Sequence, residues 1–312
     1  MKPLASNLRI DQRLTTVAQA ITNEDFISDK IFPIVKVAKP SGNIAQLSND
    51  HLRIFDGRRS NQDVDPHMVE WGIGDDLTYK IQHYDYDFTI TDLMYDEFEL
   101  PFQAQANGTM FLKNIELMRK EANSAEMLSN ASVLTNTATP STLWDVASSD
   151  PLGDMETAAE AIRAKIGRRP NYAITNSAVI SKLKNHPDFL ARISGVQKNF
   201  STADVIDIIK NFLNIKEVYV GSAIYESAIE GQTSSRGDLW QDDFLLYWKP
   251  NTGSLWVPSF GYRFEISSSN VKQGIFKYRN PNETGDVIRN LFAYQDKILD
   301  VNSAYLLDQV IS

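Results

Sequence analysis

The sequence predicts an α+β fold. Strand-like and helix-like stretches fall in separate runs rather than alternating, with most strands gathered in the last third, which disfavours a doubly wound parallel sheet. Residues 98–128 hold one apolar stripe long enough for a single dominant helix. Between the first strand and a tyrosine-rich strand lies a long polar segment with too little apolar material to form a core of its own.

The elements follow in order. Asp11 suits an N-cap, and Leu14, Val17, Ala18 and Ile21 fall at i, i+3, i+4 and i+7, so a short amphipathic helix is expected before TNED. A strand spans 32–38. The polar segment after it is broken by Pro40, Gly42, Gly57 and Pro66 and carries Arg53, Arg58 and Arg59. Next, Tyr84, Tyr86, Phe88 and Ile90 alternate with His83, Asp85, Asp87 and Thr89, the pattern of a half-buried strand.

In the long helix, Phe111, Ile115, Met118, Ala122 and Ala125 lie opposite Lys113, Glu116, Lys120 and Glu121, and Gly108 weakens its early part. A second helix starts near Asp154 as N-cap and stops at Gly167 in the left-handed conformation. Val179, Ile180 and Leu183 mark a third helix, and a fourth spans Thr202–Leu213. The remaining strands include YRFEI, where Tyr262, Phe264 and Ile266 face one way and Arg263 and Glu265 the other. Trp256, Phe260, Tyr262 and Phe264 are expected in the core.

Composition bounds the chemistry. The 312 residues are 42% hydrophobic and 23% charged, an ordinary globular balance. With no cysteine, disulfides, thiolate metal sites and cysteine nucleophiles are excluded. No secretory apolar region and no membrane-length apolar run is present, so a soluble intracellular product is expected. A net charge of −9 and a pI near 5.0 argue against dedicated gripping of phosphates.

Catalytic signatures are missing. His51, His67, His83 and His186 are scattered without metal-ligand spacing, and no phosphate loop, nucleophile elbow or dinucleotide fingerprint occurs. His83, Asp85 and Asp87 would share a strand face and could hold a divalent ion, but a solvated outer face is the simpler reading. Asp75/Asp76 and Asp242/Asp243 are adjacent pairs, which a strand sends to opposite faces. No catalytic, cofactor or metal residues are assigned.

The succession IFPIVKV, polar loop, tyrosine-rich strand, long helix, SSDPLGDMETAAEAIRAKIGRRPN, ISKLKNHPDFL, VYVGSAIYESA, DLWQDDFLLYWKP, VPSFGYRFEI and KILDVNSAYLL resembles the major capsid proteins of tailed bacteriophages. That resemblance implies the Hong Kong 97 phage-type fold: an N-terminal arm (1–30), an E-loop (31–80), a peripheral domain (81–150) with a spine helix at about 98–128, an axial domain (151–262), and a C-terminal return to the peripheral domain (263–312). It also implies a non-enzymatic protein, assembling through pentamers and hexamers into an icosahedral shell around double-stranded DNA, in the virion and built in the bacterial cytoplasm.

The polar segment then gains a surface to pack on, because the family's E-loop lies across a neighbouring subunit. Leu14, Val17 and Ile21 of the arm and Arg53, Arg58 and Arg59 of the loop become candidate intersubunit contacts. Expected partners are other copies of the chain, a separate scaffolding protein, a portal and decoration proteins, with only weak non-specific DNA contact and no membrane. Cofactors and covalent crosslinks are not expected. The alternatives are an encapsulin-like cellular shell, or an enzyme built around residues 83–87.

Overall fold

Two five-stranded sheets meet along one long helix. The computed structural model describes Leu14 and residues 26–44, 77–97, 101–193, 201–228, 231–251, 259–267 and 273–312. Val17, Ile21, Arg53, Arg58, Arg59 and Trp256 lie outside these residues.

The first sheet is organised by β13 (Gly285–Ile298), numbered as the last strand but one in the chain. Along one edge it pairs antiparallel with β4 (Gln82–Thr91), from Gly285 opposite Thr91 to Tyr294 opposite Gln82. The other edge is shared by β12 (Gly274–Asn280) and β11 (Gly261–Ile266), and β1 (Ile34–Val37) adds in parallel outside β11. Phe264 and Tyr262 are fully buried in this sheet, with Tyr79 stacked on Phe264 at 5.0 Å between ring centroids. A separate ribbon of β2 (Ser41–Ile44) and β3 (Leu77–Lys80) leads out to residues 45–76 and back.

Helix α3 (Pro101–Leu128) lies on β4 and β13. Gly108 has a steric reason to be there: a Cβ at this point would sit 2.6 Å from the Phe88 ring. The helix meets the strand more closely than any side chain allows, which explains the poor helix former. Leu14 is buried beside this contact in a cluster with Ile90, Ala104, Leu112, Ile275 and Ile288.

The second sheet runs β5 (Thr137–Ala138), β14 (Ala304–Leu307), β10 (Phe244–Tyr247), β6 (Tyr172–Asn176), β7 (Glu217–Gly221). Strand β10 is buried on both faces, which is why it reads as the unbroken apolar run FLLY. Phe244 and Leu246 face α4 (Pro151–Ile166), α5 (Ser177–Leu183) and α7 (Thr202–Leu213) through Leu152, Met155, Ile162, Val179, Ile180, Val205 and Ile209. Leu245 and Tyr247 face the other way, towards Ala125 and Leu128 of α3.

Several expectations need correction. The N-cap of α4 is Asp150, which accepts from Gly153 N at 2.9 Å with Pro151 in the first turn; Asp154 instead accepts from Trp144 Nε1 at 3.0 Å. Gly167 closes that helix at φ 70° as expected. Glu116 and Glu121 do not lie on a solvated stripe but are buried under the sheets. Nor is Arg263 on an outer face, since it is fully buried. The chain does not stay with the first sheet after residue 262: β14 crosses to the second, and Val310 and Ile311 join its core. Alternation alone cannot see Glu121 or Arg263, because each is a charged group buried with partners far away in sequence.

Candidate assembly surfaces

The possible catalytic groups are tied into structure. His83 and Asp85 are exposed, while Asp87 forms a two-pronged pair with Arg289 at 2.6 and 2.7 Å and accepts from Tyr278 Oη at 3.2 Å. Asp87 is therefore a structural carboxylate, contrary to the solvated reading. Among the described residues no group of three or more His, Asp or Glu side chains is arranged to hold a metal ion. Ser149 Oγ lies 3.1 Å from His186 Nε2, but His186 Nδ1 accepts from Asp188 N, so Nε2 carries the proton and the ring donates to the hydroxyl. That polarity is opposite to what activates a serine nucleophile. A cavity of about 370 Å³ between α3, β4 and β13 is lined by Tyr84, Arg119, Asn123, Glu126 and Asp296.

The N-terminal segment enters a built socket. Glu121, fully buried in the middle of α3, accepts from Ile27 N at 3.1 Å, Ser28 N at 2.8 Å and Trp240 Nε1 at 2.7 Å. It thus caps a one-turn helix, α1 (Ser28–Ile31), that no neighbouring side chain caps. Arg263 donates to both oxygens of Asp296 at 2.6 and 2.8 Å, reaches Asp29, and stacks over Tyr294. Burial alone would lower the guanidinium's pKa; Asp296 and Asp29 more than reverse this. Lys249 donates to the Lys30 carbonyl with its ammonium 4.2 Å from the Tyr172 ring centroid and 5.1 Å from that of Tyr219. Burial pulls its pKa down to about 8. Sequence reasoning missed this socket; the only hint was charge inside otherwise apolar runs.

Three other features face outward. The β2–β3 ribbon carries residues 45–76. Leu93 and Met94, in the short helix α2 (Asp92–Glu97) before α3, are exposed, as are Met110 and Phe111 on α3. Leu93 stands out at 76% exposure, unusual for so large an apolar side chain. At the far end of the second sheet, β8 (Ile224–Glu226) and β9 (Arg236–Asp238) form a hairpin with Ile224 and Tyr225 exposed.

Comparison with known proteins follows the same architecture. No protein-family model matches the chain. The major capsid protein of Burkholderia phage BcepMu is 25% identical over 315 aligned positions, covering 98% of both chains. That of Pseudomonas phage JBD67 is 23% identical over 74% of each. Among solved structures, a phage-related protein of Bordetella bronchiseptica RB50 superposes with a TM-score of 0.76 at 22% identity, covering 97% of this chain and 98% of that one. The capsid of Myoviridae phage XM1 superposes at 0.54 with 10% identity over 98% of both. The fold is that of a tailed-phage capsid protein.

Of the arm residues singled out from the sequence, Leu14 is buried against its own chain, while Val17 and Ile21 fall outside the described residues. The same holds for all three loop arginines.

Proposed function

We infer that this chain is the major capsid protein of a tailed bacteriophage, a shell-forming subunit and not a catalyst. What carries the reading is similarity to a phage major capsid protein over 98% of both chains, joined to a fold shared with a phage capsid. Similarity of this length to phage capsid proteins favours the phage shell over a cellular, encapsulin-like one.

The domain assignment follows. The second sheet with α4, α5 and α7 is the axial domain, and its β8–β9 hairpin with Ile224 and Tyr225 meets its counterparts around the fivefold and sixfold centres. The first sheet and α3 form the peripheral domain. Residues 1–30 act as an arm and residues 31–80 as an E-loop over a neighbour, with Val17, Ile21, Arg53, Arg58 and Arg59 as contacts, while Leu14 anchors the arm to its own subunit. A polar two-stranded ribbon is marginal alone in water and is stable when a neighbour supplies a second surface. Partners are other copies in pentamers and hexamers, a scaffolding protein, a portal and decoration proteins. Assembly takes place in the host cytoplasm.

A direct test replaces all three loop arginines with glutamate. The expected result is folded chain, by circular dichroism, that no longer closes shells under conditions where the unaltered chain does. Normal shells from the triple variant would remove the loop arginines from the interface.

A further inference from the structure

Residues 27–30 are tied, one after another, to parts of the subunit that belong to different layers. Ile27 and Ser28 donate to Glu121 of α3; Asp29 pairs with Arg263 of the first sheet; the Lys30 carbonyl accepts from Lys249, just beyond β10 of the second. Around these polar ties, Phe26 packs with Leu117 and Ala223, and Ile27, Ile31 and Phe32 fill the junction with Leu245, Tyr247 and Phe260. Phe32 and Phe260 stack at 6.1 Å.

An apolar plug alone would need no ions, and burying ions costs desolvation. Here the Asp29–Arg263 pair specifies register, because it alone depends on a side chain of the segment, while Glu121 and Lys249 hold the segment by its backbone. Each ion also keeps a partner when the segment leaves. Glu121 retains Trp240 Nε1, Arg263 retains both oxygens of Asp296, and Lys249 retains its tyrosine rings. Asp29 is already half exposed, so it returns to water at little cost. The socket is built to survive being emptied.

We propose that Phe26–Phe32 is a strap across the junction of the two sheets, seated by Glu121, Arg263 and Lys249, and that its unseating is the step that lets the sheets move relative to one another. This inference stands whether or not the chain forms a shell.

Hydrogen exchange on the full chain tests the seating. Glu121→Gln keeps the shape but removes the charge that holds two backbone donors. Amides of 27–32 should then exchange at least about tenfold faster, while those of β13 and α4 keep their rates. Asp29→Asn should give a smaller acceleration in the same residues, and it reads the strap even if Glu121→Gln fails to fold. Uniform acceleration in both sheets, or no change at 27–32 in either variant, would overturn the strap.

Spin labels test the coupling. The chain has no cysteine, so His83→Cys and Val146→Cys on exposed positions of the two parts give one labelled pair. In the Asp29→Asn and Glu121→Gln backgrounds the distance distribution should broaden relative to the otherwise unaltered chain. A freed strap with an unchanged distribution would show that the sheets are held together by something else.

Discussion

Arg263 and Asp243 show how differently two buried charges behave. Arg263 has a bidentate partner, a second carboxylate and an aromatic face, so removing the side chain would strand Asp296. Arg263→Ala is expected to cost about 3–5 kcal/mol in urea unfolding. Asp243 accepts from Gln309 N at 2.9 Å through one oxygen, while the other is buried without a hydrogen bond. Burial, and then the neighbouring Asp308, push its pKa up to about 6. The folded state therefore binds more protons than the unfolded one between pH 4 and 6, so this group's stability contribution is lost as pH rises through that window. Asp243→Asn should raise the unfolding midpoint at pH 7 and flatten its change between pH 4 and 6; a midpoint that falls at pH 7 would contradict the assignment. Phe264, fully buried under Tyr79, should cost about 3–5 kcal/mol on replacement by alanine.

At the scale of elements, periodicity located the helices and strands well but misjudged what their polar positions do. Thr202–Leu213 and the strand around Tyr84 have strong periods and clear ends, and they form where the pattern says. The α4 cap was misplaced because Asp150 and Asp154 are both plausible, and only Pro151 in the first turn separates them. Glu121 was unreadable: a glutamate in a helix looks solvated unless the segment ninety-odd residues earlier that it caps is known to pass beside it. Gly108 tests which of two effects wins. Alanine is about 1 kcal/mol better in a helix, yet its Cβ would meet the Phe88 ring, so Gly108→Ala is expected to destabilise by about 1–3 kcal/mol in thermal unfolding. Removing residues 1–25 exposes the cluster around Leu14, and burying a leucine is worth about 1.5–3 kcal/mol. The truncated subunit should still fold, less stably, and fail to close shells; loss of all native structure would mean that the arm belongs to the core.

For the whole molecule, the sheets, the junction and the outward features converge on assembly. Fold class was legible because segregated strands and one dominant helix leave few architectures. Residues 45–76 were legible only as a lack: a polar stretch of sequence without apolar material for a core of its own. Which surface receives it was not legible, since contacts between copies leave no period in a single sequence. The acidic balance of −9 suits a shell wall that encloses polyanion without gripping it. Electron microscopy with mass measurement on the purified full chain, with and without a scaffolding partner, bears most directly on the shell assignment. Closed icosahedral particles, or free pentamers and hexamers, are the expected result. A stable monomer or dimer under every assembly condition would contradict it.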